Sequence, residues 1–401
     1  MSNERTGSFE SALSRGQEAD VADAADGDRV VAALEPKRKL HVLGLPHTAV
    51  TSAYSHCAFT GKILRFAKMM RPFGYTVVEY SNGASESGAD IQVQVLSAEE
   101  LGALTKRTSE AEDYSADVHN AELTSAFHAR LLRAVTGLAE PGDIVCHVFG
   151  PDASVLAALP ECLHVESGIG YTCVDSPCPY RVYESSAWMH WHFGRRHLEF
   201  GKNYEFVAPN YYDCDDWDVV VEPPATPTVL FFGRLVESKG LATVLAVARA
   251  MPTVRFVLCG QGDASCASEP NTVYAPPVFG RARSAVLGGA TALLAPSDFI
   301  EPFCGSAVEA QMCGTPVVCS SFGAFTETVE DGKTGYRCHT LADYACAVAR
   351  AALLDRRYVA WRARNAYSLE TVGRRYHEIF SDILDLRGPG WYAARSHKFA
   401  S

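Results

Sequence analysis

The sequence predicts an α/β protein of two doubly wound domains facing each other across a cleft. Short apolar runs of strand length alternate with helical patterns along most of the chain. The alternation breaks once, at a stretch rich in Asp and Pro, and then restarts. A chain of 401 residues is long enough for two domains that each bury a core. The domains are expected at 37–212 and 227–385, with a linker at 213–226. A disordered leader is expected at 1–36, and a tail at 386–401 is free to pack back on the first domain.

The first 28 residues are polar, acidic and rich in Ala, Ser and Gly, without the apolar segment of a secretory signal. Lys39–Leu45 (KLHVLGL) reads as a buried strand. A helix follows from about Cys57 to Arg71, stopped by Pro72 and Gly74, and Tyr75–Tyr80 is a second strand. This strand–helix–strand opening starts a doubly wound sheet. Residues 81–117 read as a polar insertion, Leu123–Thr136 as a helix and Asp143–Phe149 as a buried strand. His164–Tyr171 (HVESGIGY), with two Gly, reads as a strand-edge loop. Beyond DCDDWD and EPPATP, strands are expected at Thr228–Phe232, Val254–Cys259, Ala290–Ala295 and Thr315–Cys319. Ser368–Leu386 is an amphipathic helix, with Leu369, Val372, Tyr376, Ile379 and Ile383 on one face.

Composition narrows the class. The chain is 47% hydrophobic and 21% charged, as in an ordinary globular protein, and no apolar run reaches the roughly 20 residues that span a bilayer. A net charge of −11 argues against broad binding to nucleic acid or anionic membrane. Several of the 13 Cys sit in apolar runs (Cys146, Cys259, Cys319), as buried thiols of a reducing, cytoplasmic compartment would. There is no CxxC pair, so no structural zinc site is expected, and the two D-x-D triplets of DCDDWD read as a solvated linker, leaving no metal ligands.

The chemistry concentrates between Phe231 and Pro316. FFGRLVESKG places Arg234 and Lys239 just beyond a strand's C-terminal end, where open α/β sheets bind ligands. Two cations there suit a diphosphate, both for binding it and for stabilising it as it departs. GQGD supplies Gly260 and Gly262 after another strand, where backbone can approach a ligand. In SDFIEPFCGSAVEAQMCGTPVV, Glu301 and Glu309 stand seven residues apart around a helix start near Gly305. That helix would aim free N–H groups at an anion. Eight positions span roughly 12 Å of helix axis, so Glu301 can accept from sugar hydroxyls and Glu309 from a ribose diol.

These segments, followed by ETVEDGKTGY and YSLETVGRRYHEIF, resemble glycosyltransferase family 4, the retaining enzymes of the GT-B fold. HVLGLPHT, ESGIGY, RVYESSAWMHWHFG and VAPNYYD resemble an environmental and phage-type subgroup of that family. The resemblance implies transfer of a hexose-type sugar from a nucleoside-diphosphate-sugar, without a separate cofactor, to a hydroxyl acceptor. That acceptor is a glycan, a lipid-linked or small molecule, or a modified base. It implies Arg234 and Lys239 on the diphosphate, Glu301 on the sugar and Glu309 on the ribose, with Phe303, Cys304, Gly305 and Ser306 lining the pocket. It also implies front-face attack, the departing diphosphate taking the acceptor's proton. The family has Gly where this chain has Cys304. A sugar-nucleotide epimerase of the same fold and a non-catalytic sugar-nucleotide binder are the alternatives.

On the acceptor side, His47 and Thr48 follow the first strand, Glu166 and Ser167 lie in the presumed strand-edge loop, and His147 is the candidate catalytic histidine near a strand end. Lys62, Arg65, Lys68 and Arg71 recur every three residues on the first helix. This reads as a helix with its charged face in water, the alternative being a stripe that docks on the inner face of a membrane. Trp188–Phe193 (WMHWHF) reads as a core or interdomain helix.

Overall fold

The computed structural model describes residues 38–54, 57–106, 117–201 and 204–386. The expected leader and tail lie outside the described residues. The first domain holds β1 (Lys39–Leu43), α1 (Ala58–Met70), β2 (Thr76–Ser81), β3 (Ile91–Gln94), α2 (Ala98–Thr105), α3 (Ala121–Leu138) and β4 (Ile144–His147). It continues with α4 (Ala153–Ala158), β5 (Leu163–Ile169), β6 (Tyr180–Tyr183), α5 (Ser186–Arg195) and β7 (Glu205–Val207). The second holds β8 (Thr228–Phe232), α6 (Leu241–Ala250), β9 (Arg255–Cys259), β10 (Thr272–Ala275), α7 (Arg281–Gly288), β11 (Ala292–Ala295) and α8 (Gly305–Met312). After these come β12 (Val317–Ser320), α9 (Phe325–Thr328), β13 (Gly335–Cys338), α10 (Leu341–Ala351), α11 (Arg356–Tyr367) and α12 (Leu369–Leu386).

The sheets run β3-β2-β1-β4-β5-β6-β7 and β10-β9-β8-β11-β12-β13, and every described pairing is parallel. In each sheet the strand order reverses once, between β1 and β4 and between β8 and β11. In open α/β sheets ligands bind beyond the C-terminal ends of the strands at such a reversal. The predicted two-domain α/β architecture is therefore what the chain adopts.

Three local readings are corrected. The expected insertion contains β3 and α2, the latter started by a capping box in which Ser97 and Glu100 bond each other's backbone N–H; residues 107–116 lie outside the described residues. HVESGI is a buried strand rather than a loop. Gly168, at φ +72, sits where the register between β5 and β6 shifts, so its glycine marks a bulge. The basic stripe of α1 faces water only in part: Lys68 and Arg71 are exposed, whereas Lys62 is buried and Arg65 half-buried. Lys62 is buried in an ion pair with Glu184, Lys68 pairs with Asp213 of the acidic linker, Arg71 lies 3.4 Å from Asp90, and Arg65 lies over the Tyr212 ring.

The crossing between domains is made twice. Tyr212 leaves the first domain alongside Ser368 returning to it, and the two stretches bond each other's backbone (Tyr212 N–H to Tyr367 O, Leu369 N–H to Tyr212 O). The linker then packs on the second domain: Trp217 joins its core and Arg356 donates to Val220 O. Helix α12, expected inside the second domain, belongs to the core of the first. Its Val372, Tyr376, Ile379, Phe380 and Ile383 are buried against α1, each contributing about 1.5–3 kcal/mol. The helices touch at Gly373, where a Cβ would lie 2.9 Å from Met69 O.

Candidate donor site and the face opposite it

The expected donor residues arise from the second domain's switch point. The loop after β8 and the loop after β11 are locked together: Asp298 N–H donates to Ser238 O at 3.0 Å. Gly240, at φ +78, lies so close that a Cβ would meet Pro296 O at 1.9 Å. The glycines of GQGD serve the same purpose, a packing role the sequence reading did not foresee. A Cβ on Gly260 would lie 1.8 Å from Gly233 O, and one on Gly262 would lie 2.6 Å from Leu235 Cβ. Both let one loop's backbone close on the other.

This packing gathers the charges. Lys239 Nζ lies 2.8 Å from Glu301 Oε1, which also accepts from Ser297 Oγ at 2.6 Å. Glu301 is buried, and the Lys239 ammonium also lies over the Phe299 ring. Arg234 is exposed, and its side chain has no ion pair or hydrogen bond among the described residues. Helix α8 begins at Gly305 with no side chain capping its N-terminus; Ala307 N–H bonds Cys304 O, which leaves the Gly305 and Ser306 N–H groups for an anion. Phe303 is buried beneath the turn, stacked on Tyr212 and edge-on to Tyr367. Cys304 adopts the left-handed conformation (φ +64, ψ +75) that glycine takes freely. The loop thus follows a glycine path with a thiol on it. Burial pushes that thiol up to about 12, the Glu301 carboxylate adding to the effect; Ser306 Oγ lies 3.7 Å away.

Glu309 lies on the first turns of α8 in an ion pair with Arg283, whose guanidinium rests over the Phe232 ring. Sequence reasoning missed Arg283. Its signal was the arginine pair in FGRAR at the start of α7, a helix with no neighbouring motif to flag it.

The first domain treats its expected site residues differently. His147 is buried, and both ring nitrogens are engaged: Asp152 N–H donates to Nδ1, and Nε2 lies 3.1 Å from His164 Nδ1. His164 in turn bonds Leu159 O through Nε2. Burial, with His164 adding, pushes His147 down to about 3. This neutral relay ties α4 to β4 and β5, so the catalytic assignment of His147 is corrected to a structural one. Glu166 is also interior, paired with Arg181 at 3.2 Å and accepting from the Tyr171 hydroxyl; Ser167 is buried beside it. His47 and Thr48 are buried in the loop after β1. Thr48 bonds Thr60, and the His47 ring meets Phe149 edge-on at 5.6 Å.

The domains meet at the end of β6. Ser185 Oγ donates to Pro302 O at 2.7 Å, next to Glu301, and the Ser186 and Ala187 N–H groups donate to the Glu327 carboxylate. That carboxylate from the second domain caps α5, the helix carrying the stacked Trp188 and Trp191. WMHWHF is thus an interdomain helix.

Two parallel-sheet domains with a charged crevice at one switch point define a class of nucleotide-type binding folds. Comparison with known proteins narrows it. Residues 226–354 match the family model of the group 1 glycosyl transferases, so the second domain carries a group 1 glycosyltransferase domain. A D-inositol 3-phosphate glycosyltransferase of Mycobacterium leprae is 33% identical over 136 residues, 30% of this chain and 32% of the relative. An alpha-maltose-1-phosphate synthase of Mycolicibacterium smegmatis is 33% identical over 129 residues, 28% of this chain and 33% of the relative. The matched stretches thus span about a third of these curated relatives. Across the whole fold, a glycosyltransferase of Rickettsia africae superposes with a TM-score of 0.63 at 14% identity, covering 87% of this chain and 99% of that one. A glycosyltransferase of avilamycin A biosynthesis gives 0.61 at 18%, covering 87% and 98%. Anabaena Alr3699/HepE, solved with UDP and glucose, gives 0.58 at 15%, covering 86% and 99%. The architecture is GT-B.

Proposed function

We propose that the chain is a retaining glycosyltransferase that moves a sugar from a nucleoside-diphosphate-sugar to a hydroxyl acceptor. The observation that supports this is the Lys239–Glu301 pair and the Arg283–Glu309 pair beside the uncapped start of α8, with Arg234 exposed on the same loop as Lys239. Arg234, Lys239 and the α8 N–H groups supply positive charge for the diphosphate. Glu301, presented by Lys239 and Ser297, accepts from sugar hydroxyls, and Glu309 accepts from the ribose diol.

In the reaction the anomeric carbon–oxygen bond to the diphosphate breaks, and a bond to the acceptor oxygen forms on the same face. The acceptor's proton passes to the departing diphosphate oxygen. The Glu301 carboxylate is held by two donors and His147 is committed to the relay. Neither is therefore placed as nucleophile or base, which supports a route that needs none. UDP in a structural neighbour supports a nucleotide-sugar donor. The 13 unbridged cysteines support a reducing, cytoplasmic setting, and among the described residues no helix is long and apolar enough to cross a membrane.

Purified protein is expected to release nucleoside diphosphate from at least one nucleotide-sugar, and Lys239→Ala to lose at least about 100-fold of that rate. Product NMR should show a retained anomeric configuration. Full activity in Lys239→Ala would overturn the assignment, and a free, epimerised sugar nucleotide as product would replace transfer with epimerisation.

A further inference from the structure

The first domain has a switch point of its own, between β1 and β4, facing the same cleft. The described side chains there are aromatic. Phe149, just after β4, lies edge-on to Phe59 of the first turn of α1 (centroids 4.9 Å apart) and to Tyr171 after β5 (6.3 Å). Phe59 and Tyr171 are 5.9 Å apart, and the His47 ring closes the group against Phe149. Phe149 is 38% exposed, among the most exposed large apolar side chains of this domain, while Phe59 and Tyr171 are half-buried. The patch connects to the sugar-binding loop through a short chain of contacts. Lys62 Nζ lies over the Phe59 ring and pairs with Glu184; the next residue, Ser185, bonds Pro302 O beside Glu301.

The charge pattern at this edge is one-sided. The segments leaving the C-terminal ends of the first-domain strands (44–57, 82–89, 95–97, 148–152, 170–179, 184–185 and 208–212) contain no Lys or Arg. They do contain Glu86, Asp152, Asp175 and Glu184. The cation at the start of α1, Lys62, is buried and spent on Glu184 and on Gly168 O at 2.7 Å. A phosphate group entering here would meet no free cationic side chain, only the uncapped N–H groups at the start of α1, and would be desolvated beside carboxylates. An uncharged ring would cover apolar surface and meet the edges and faces of three aromatic side chains.

We infer that Phe59, Phe149 and Tyr171 form an acceptor subsite for an uncharged, ring-bearing alcohol such as a glycoside, and that phosphorylated acceptors bind there more weakly. This rests on the donor-site reading above. It also sets the chain apart from the matched relatives named for D-inositol 3-phosphate.

The test uses full-length protein and calorimetry in two stages. UDP, GDP and ADP are titrated first. The protein loaded with whichever binds is then titrated with nitrophenyl α-glucopyranoside and with the phosphate monoester of the same compound. The neutral probe is expected to bind at least about tenfold more tightly than its phosphate, and Phe149→Ala to weaken it about tenfold with nucleotide affinity unchanged. Equal or tighter binding of the phosphate, no binding of either probe, or no loss in Phe149→Ala overturns the subsite while leaving the donor reading intact. Failure of all three nucleotides to bind overturns the donor reading, and the acceptor assignment with it.

Discussion

The two halves of this molecule spend their polar residues differently. In the second domain, charged groups gather where two loops diverge, and one of them, Arg234, has no partner among the described residues. In the first domain the comparable groups turn inward. His147 bonds His164, Glu166 is held by Arg181 and Tyr171, and Lys62 is buried against Glu184. The difference teaches that a polar residue near a strand end is not by itself a site. What separates the halves is exposure: the first-domain pairs are sealed on both sides, whereas Lys239 and Arg283 keep part of their side chains open to solvent and Arg234 is exposed.

The sharpest way to break this comparison is to remove one member of a first-domain pair. Lys62→Met leaves Glu184 buried without its cation and is expected to cost about 3–5 kcal/mol in chemical denaturation. Lys62→Met with Glu184→Leu should recover most of that. A single variant with unchanged stability would place Lys62 among the free cations instead.

A second effect is in pH. His147 is held down to about 3, and His41 and His164 are lowered chiefly by burial, as is His192, to about 4. Around His147, the groups packed against it are the neutral His164 ring and the backbone of Asp152, whose carboxylate pairs with His128. Each histidine takes up its proton at a lower pH in the folded chain than in the unfolded one, which titrates near about 6.5. Their contribution is therefore complete above that pH and is lost as pH falls from about 6.5 towards 3. Denaturation followed across this range should show stability falling with acid, and His147→Gln should flatten the slope. An unchanged slope would contradict the relay.

The smallest effect concerns Cys304. A non-glycine residue in the left-handed region costs about 1–2 kcal/mol, partly offset by the extra freedom glycine has when unfolded. Cys304→Gly is expected to be neutral to about 1 kcal/mol stabilising and to keep nucleotide binding. A loss of binding would make the thiol a contributor to the pocket.

Much of this was legible in the sequence, unevenly. Strand β8 was read at its observed bounds, and the Glu301–Glu309 spacing announced a helix start because local chain geometry sets it. The residues that sequence reasoning missed are brought together by topology. Helix α12 shows its apolar face in the sequence, but nothing local says which domain it covers. Arg283 meets Glu309 across two elements. Phe59 of α1, Phe149 after β4 and Tyr171 after β5 come from three segments that converge only because β1, β4 and β5 are neighbours. Glu166 and Gly168 misled for another reason: a paired interior carboxylate and a bulge glycine have the same composition as a loop.

The account's central claim is that the functional charge lies in the second domain, where Arg234 is exposed and has no partner among the described residues. Arg234→Ala tests it most directly, since removing an exposed, unpartnered side chain should not disturb the fold. The prediction is an unchanged denaturation midpoint with at least about a 100-fold fall in kcat/KM for nucleotide-sugar turnover. Wild-type turnover in that variant, at unchanged stability, would contradict it.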